Sequence, residues 1–238
     1  IVLDNSILST GGIDFVSPEL SYGMSNAGQI ENPYWLTALI EPQTQENGYL
    51  SVVNSTNGFK FAFPENIPTY LNQIDKKGWS IASGQIKEAS REIFSELNEI
   101  LDISFTEITH PYATSVIAIM SNEQTDTTGY AYNPLDVDVQ TANFLFSDVF
   151  LGNDYNNPQK SSNKTNFDYE LLIHEIGHAM GLKHPFKNQT GDGVFLSSKE
   201  ENNKWTVMSY TFDKAFFDGS YRMLDIASLA KYLWYKQK

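Results

Sequence analysis

The stretch His174-Glu175-Ile176-Gly177-His178-Ala179-Met180-Gly181-Leu182-Lys183-His184 constrains this chain more than any other part of it. Residues i and i+4 of an α-helix lie one above the other on one face, so a helix here points His174 and His178 at one metal ion. Gly181 lets the chain leave the helix through a left-handed conformation, which swings His184 back as a third ligand. Three neutral imidazole nitrogens leave the fourth position of a zinc ion open for water, and that open position separates a catalytic zinc site from a structural one. Glu175 stands one helical step round from the first ligand, where it reaches a water rather than the metal. The chain has four histidines, and three of them fall in this stretch. Ordinary core or surface histidines on an amphipathic helix are a poor account of that concentration.

The surroundings agree with the motif. A helix of about fifteen residues is expected from Phe167 to Gly181, opened by Thr165 and Asp168 in the Ser/Thr-x-x-Asp/Glu pattern of a reciprocal cap. Leu171, Leu172, Ile176 and Ala179 give it apolar surface to bury. Downstream comes Thr206-Val207-Met208-Ser209-Tyr210. The eleven-residue pattern followed by a Met-turn is the metzincin signature. With Pro185 directly after the third histidine and Met208-Ser209-Tyr210 at the turn, the chain resembles the serralysin-type metzincins, which are secreted bacterial zinc peptidases. The astacin branch has glutamate after the third histidine and the matrixins have serine, so Pro185 sides with the serralysins. Thr206 stands where serralysins usually have serine.

The resemblance runs over roughly residues 59 to 235. Phe59-Lys60-Phe61-Ala62-Phe63-Pro64 looks like a first strand. Ser83 to Leu101 looks like a long helix with Ser83 as its cap and Ile86, Ser90, Ile93, Leu97 and Ile100 on one face. Ile103 to Ile108, Ser115 to Met120, Gly129 to Tyr132 and Ala142 to Ser147 read as further strands. Met223-Leu224-Asp225-Ile226-Ala227 opens a terminal helix, where Asp225 resembles a family position that supports the Met-turn; a helix-start carboxylate accounts for it equally well. The fold class expected is α+β: a metzincin (zincin-like) catalytic domain with a twisted, mostly parallel sheet and long helices. Its cleft would lie between a larger N-terminal subdomain, to about residue 181, and a smaller one over 182–238. Residues 1–58 are expected to be an N-terminal extension packed on or leading into the catalytic domain of 59–238. No Gly-Gly-x-Gly-x-Asp repeats follow the terminal helix, whereas serralysins continue into a calcium-binding roll of them. The chain is therefore expected to be a minimal enzyme or a piece of a longer protein.

Composition narrows the partners. A net charge of −13 disfavours nucleic acid and anionic membrane, which require a basic surface. Zero cysteines exclude a disulfide framework, a thiolate metal site and a propeptide cysteine held on the zinc. No apolar run reaches the length of a membrane span. Calcium is left open as a second ion without a motif: Asp136, Asp138, Asp148 and Asp154 fit no EF-hand loop.

The resemblance implies His174, His178 and His184 as ligands of one catalytic zinc, Glu175 as general base, and Tyr210 as an additional zinc ligand or a donor to the oxyanion. Met208 would pack beneath the metal. Peptide binding is expected by strand addition along Ala142-Asn143-Phe144-Leu145-Phe146, with the loop from Pro185 to Trp205 shaping the pocket for the side chain after the cleaved bond. The reading is a secreted, extracellular zinc endopeptidase acting on protein or peptide substrates, with a proteinaceous inhibitor left open as a partner. Its alternative is a zinc-containing self-processing or structural module of a larger bacterial surface protein. An intact Glu175 speaks against a module retained only for structure.

Overall fold

The computed structural model describes residues 33–40, 58–101, 103–111, 116–132, 147–156, 164, 167–186, 193–212 and 218–234. The chain divides into Ile1–Pro33 and Tyr34–Lys238; the second unit carries all that follows. In chain order its elements are helix α1 (Tyr34–Leu39), strands β1 (Phe59–Ala62) and β2 (Ser80–Ile81), helix α2 (Gly84–Ile100), strands β3 (Phe105–Glu107), β4 (Val116–Asn122), β5 (Gly129–Ala131) and β6 (Val149–Gly152), and helices α3 (Phe167–Ala179) and α4 (Met223–Trp234).

The sheet runs β3-β1-β4-β6-β5, with β2 paired to β4 off this path. The β3–β1, β1–β4 and β4–β6 pairs are parallel, while β5 runs antiparallel to β6. Parallel strands need both faces covered, and β4 shows it: all seven of its residues are buried. Ile117 and Ile119, with Val149 and Leu151 of β6, join the main core. Ala118, Met120 and Phe150 point the other way into a second cluster with Leu71, flanked by Tyr70, Trp79, Tyr130 and Tyr132. A mixed α/β architecture with a mostly parallel sheet is thus the observed form.

Helix α2 begins where Ser83 accepts the Ile86 N–H on its hydroxyl at 3.3 Å, as an N-cap should. Its buried face carries Ile86, Ala89, Ser90, Ile93, Phe94 and Leu97. Ser90 is tolerated there because its hydroxyl donates to the Ile86 carbonyl at 2.7 Å. Phe94 stacks on Phe61 of β1 at 4.3 Å and on Phe105 of β3 at 5.2 Å, which seats the helix on that half of the sheet. Spacing also assigns Ile100 to this face, but it is 55% exposed. The helix ends there, and Leu101, whose N–H turns back to the Leu97 carbonyl at 2.8 Å, takes the buried place instead.

Helix α3 is buried at every position from Asp168 to Gly177. A helix enclosed on all sides is ordinarily apolar all round, yet this one encloses Asp168, Glu170, His174 and Glu175. It packs on β5 and β6, and α1 packs on α4. Ile40 bridges to Leu182, and the Lys183 N–H donates to the Leu39 carbonyl at 2.9 Å. The stretch just after Pro33 therefore braces the turn that delivers His184.

Asp148 is enclosed beneath the second cluster, where it accepts the Tyr70 hydroxyl at 3.2 Å. Burial pushes its carboxyl up to about 7, with the charge of Asp75 adding to the rise. The folded protein therefore holds this proton more tightly than the unfolded chain. The associated stability is full below the unfolded carboxylate range and is lost as pH rises through about 7. Asp148→Asn should then be more stable than the parent at pH 8, by about 2 to 4 kcal/mol. The advantage should vanish near pH 4, as read by urea unfolding of both proteins across that range. A difference independent of pH would show that the carboxyl is not the cause.

Candidate active site and metal centre

The fold brings the three histidines of the motif together. The His184 Nε2 lies 3.2 Å from His174 Nε2 and 3.1 Å from His178 Nε2. On the other side of two rings, His174 Nδ1 meets the Val207 carbonyl and His178 Nδ1 the Leu182 carbonyl, each at 2.8 Å. A carbonyl only accepts, so both Nδ1 atoms carry the proton and both Nε2 lone pairs point inward. Lone pairs aimed at one point from about 3 Å repel each other unless a cation lies between them. Zinc with bonds of about 2.0 to 2.1 Å and tetrahedral angles sets its nitrogens about 3.3 Å apart, close to the two spacings to His184, and all three donors lie within 4.8 Å of one another. The donor set therefore fits zinc.

Burial holds all three imidazoles in the neutral, ligating form at ordinary pH. His174 lies well below its usual value through burial and then its two histidine neighbours, while burial brings His178 down to about 4. His184 is down to about 3, from burial first and then His178 and Lys183. The turn that presents His184 follows the sequence: Gly181 has φ of 97°, a conformation open to glycine. Within α3, a Cβ on Gly177 would meet Met208 Sδ at 2.8 Å. Glycine there leaves room for the Met208 thioether directly beneath the helix.

Glu175 is 4% exposed, its Oε2 has no hydrogen-bond partner among the described residues, and burial pushes its carboxyl up to about 8. An unpaired buried carboxyl is costly and marks a group kept for something other than packing. A bound dication would oppose the upward shift. Its neighbour across the site is β5: a Cβ on Gly129 would stand 3.0 Å from Glu175 Oε1. The strand's backbone thus passes directly beside the carboxyl.

Tyr210 lies over the histidines, its ring centre 4.7 Å from that of His184 and 5.6 Å from that of His174. It is 58% exposed, so its phenol is open to a ligand. Phe186 stacks on His184 at 5.0 Å and touches Tyr210 at 4.9 Å. The turn that carries Tyr210 hangs from Asp225, which accepts the Thr206 hydroxyl at 2.6 Å and the N–H groups of Val207 and Arg222 at 2.9 Å each. Glu201 steadies the outer side by accepting the hydroxyls of Ser209 and Thr211. Beyond His184, Lys183 Nζ donates to the Val194 carbonyl at 2.9 Å and the Leu196 N–H to the Pro185 carbonyl at 2.8 Å, tying the following loop to the metal-site turn.

Two supporting residues escaped the sequence reading. Glu170, one turn before His174 on the same face of α3, is paired with Arg222 Nη2 at 2.9 Å, and both side chains are almost wholly buried. The one signal available was a glutamate at the head of the apolar run Leu171-Leu172-Ile173, whose partner 52 positions away no local pattern names. The expected substrate strand Ala142 to Phe146 lies outside the described residues, as do Thr165, Asp136 and Asp138. Among the described strands, the edge beside the site is β5.

The sequence model of Reprolysin_5, described as metallo-peptidase family M12, matches residues 47–219. Serralysin of Proteus mirabilis is 30% identical over 169 residues, covering 62% of this chain and 34% of that protein. Serralysin of Photorhabdus laumondii is 25% identical over 160 residues, covering 63% and 31%. Serralysin A of Dickeya chrysanthemi is 36% identical over a shorter span of 55 residues, covering 23% and 11%. The aligned span amounts to about a third of the length of the two longer matches.

Proposed function

This chain belongs to metallo-peptidase family M12, and from that premise we propose that it is a zinc-dependent endopeptidase, secreted or held at a bacterial cell surface, with Glu175 as its general base. The observation that carries the reading is the convergence of three inward-facing Nε2 atoms beside a buried carboxyl with an unpartnered oxygen. His174, His178 and His184 would hold the metal. When bound, zinc would lower the pKa of a water and polarise the scissile carbonyl.

The chain's own groups supply the rest. Glu175 accepts the proton of the attacking water and passes it to the departing amine. Tyr210, open to solvent above the histidines, donates its hydroxyl to the oxyanion that develops in the transition state; burial and Glu175 raise its pKa, which keeps the phenol protonated for that role. The peptide pairs with the edge of β5 that has no partner strand among the described residues; its Gly129 borders Glu175, so that strand addition sets the scissile bond beside the base. The segment from Gly193 to Trp205, tied back by Lys183, walls the pocket that follows the cleaved bond.

Stripping metal with a chelator should reduce cleavage of a denatured protein at least about 100-fold, and one equivalent of zinc should restore it. Metal content by mass spectrometry and fragment patterns by gel read both halves. Cleavage that survives complete metal loss would overturn the reading, as would zinc-loaded protein that cuts nothing.

A further inference from the structure

The strand that flanks the site is short and bonded along one edge. Among the described residues, β5 has three residues and pairs with β6 alone, and so brief an edge strand is weakly fixed by its ladder. What holds it lies on the opposite face of the sheet from Glu175. Tyr130 and Tyr132 point there, into the second cluster, with the Tyr130 ring stacked on Phe150 at 4.9 Å. Their hydroxyls converge on one carboxylate: Tyr130 donates to Asp75 Oδ1 at 2.8 Å, and Tyr132 reaches Oδ1 and Oδ2 at 3.0 and 3.1 Å.

Asp75 is itself fixed. It is 2% exposed, and the Asn72 side chain accepts its N–H at 2.9 Å and that of Ile74 at 2.8 Å. Asn122 of β4 donates to both the Asp75 carbonyl, at 3.3 Å, and the Tyr130 hydroxyl, at 2.7 Å. Among the described residues Asp75 makes no ion pair, so its burial is compensated by hydrogen bonds alone. A carboxylate suits this place because it only accepts, and both phenols can donate to it together. An amide there would set an NH2 group against one of the two phenols and reverse or break that bond.

From this geometry we infer that Asp75 is a positioning residue for peptide binding. By receiving the phenols of Tyr130 in β5 and of Tyr132 just after it, it fixes how far the strand's outer edge, unpaired among the described residues, stands from Glu175. The inference rests on the reading that peptide pairs with β5. The strand is gripped between Asp75 on one face and the Gly129–Glu175 contact on the other, and a peptide added to its edge inherits that placement. Release of the grip lets the strand shift, which weakens peptide binding before it affects the bond-making groups.

The test uses zinc-loaded full-length chain with Asp75→Asn and, as a gentler change, Tyr132→Phe. Peptide hydrolysis should show KM raised about 5- to 20-fold for Asp75→Asn and less for Tyr132→Phe, with kcat within about 3-fold of the parent. Zinc content should be unchanged. Hydrogen exchange followed by mass spectrometry should show faster exchange confined to peptides spanning Gly129 to Ala131, with α3 still protected. Unchanged KM in both variants, or a fall in kcat accompanied by zinc loss, would overturn the inference, as would faster exchange spread evenly over the chain. Failure of the underlying reading looks different: the parent protein itself would not cleave peptide, whatever the exchange at β5.

Discussion

Glu175→Gln should lower the turnover of zinc-loaded protein about 1,000-fold while the protein keeps a full equivalent of metal. Glutamine fills the same volume but cannot take a proton from water and hand it on, and general acid–base groups contribute about 100- to 10,000-fold. The metal should stay because Glu175 is not among the converging ligand atoms; its carboxyl faces β5 at Gly129. The same substitution should stabilise the metal-free fold at alkaline pH. Burial raises this carboxyl to about 8, so the stability tied to its proton is full below the usual carboxylate range and lost as pH rises through about 8. At pH 9 the metal-free variant should outlast the parent in urea by on the order of a few kcal/mol, and below pH 4 the two should coincide. A gain in stability set against a loss of turnover is the pattern of a group kept for chemistry at the expense of the fold. Turnover retained in the glutamine variant would mean that another group serves as base.

Local arithmetic made the geometry of the histidine cluster readable. The i, i+4 relation of His174 and His178 and the left-handed Gly181 depend on residues within a few positions of each other, so a linear pattern holds them. The cap on Ser83 and the buried stripe of α2 were readable for the same reason, until Ile100, where the helix stops and periodicity no longer says which residue the core receives. The strands were harder, since β2, β3 and β5 have two or three residues each and cannot display a period. Tyr34 to Ile40 is marked in the sequence only by Pro33 and Pro42 on either side, and its place beside Leu182 depends on tertiary contact alone. Asp75 had no signature at all: nothing near it in sequence names Tyr130 and Tyr132, and only the sheet brings them together.

Arg222→Met should be the most damaging single change to stability away from the motif, costing about 3 to 5 kcal/mol, because it leaves a buried carboxylate without its partner. Glu170 and Arg222 are each almost wholly buried at their contact; burial pushes the Glu170 carboxyl up, and Arg222 opposes that rise. The arginine does more than neutralise. Its Nε donates to the Asn203 carbonyl at 3.1 Å and its Nη1 to Asp218 at 2.8 Å, so one side chain ties α3 to the segments on both sides of the Met208 turn. Replacing both partners, Glu170→Leu with Arg222→Met, removes the stranded charge and should recover most of the loss, since apolar replacements of a buried pair are often neutral or stabilising. Urea unfolding of the metal-free proteins gives the stabilities, and zinc titration gives the functional cost. Glu170, His174 and His178 share one face of α3, so the double variant separates two roles for the pair. If it regains stability but binds zinc more weakly than the parent, the pair sets the register of the metal helix; if it regains both, the pair serves the fold alone. An Arg222→Met protein that loses less than about 1 kcal/mol would contradict the premise that this contact is a buried ion pair.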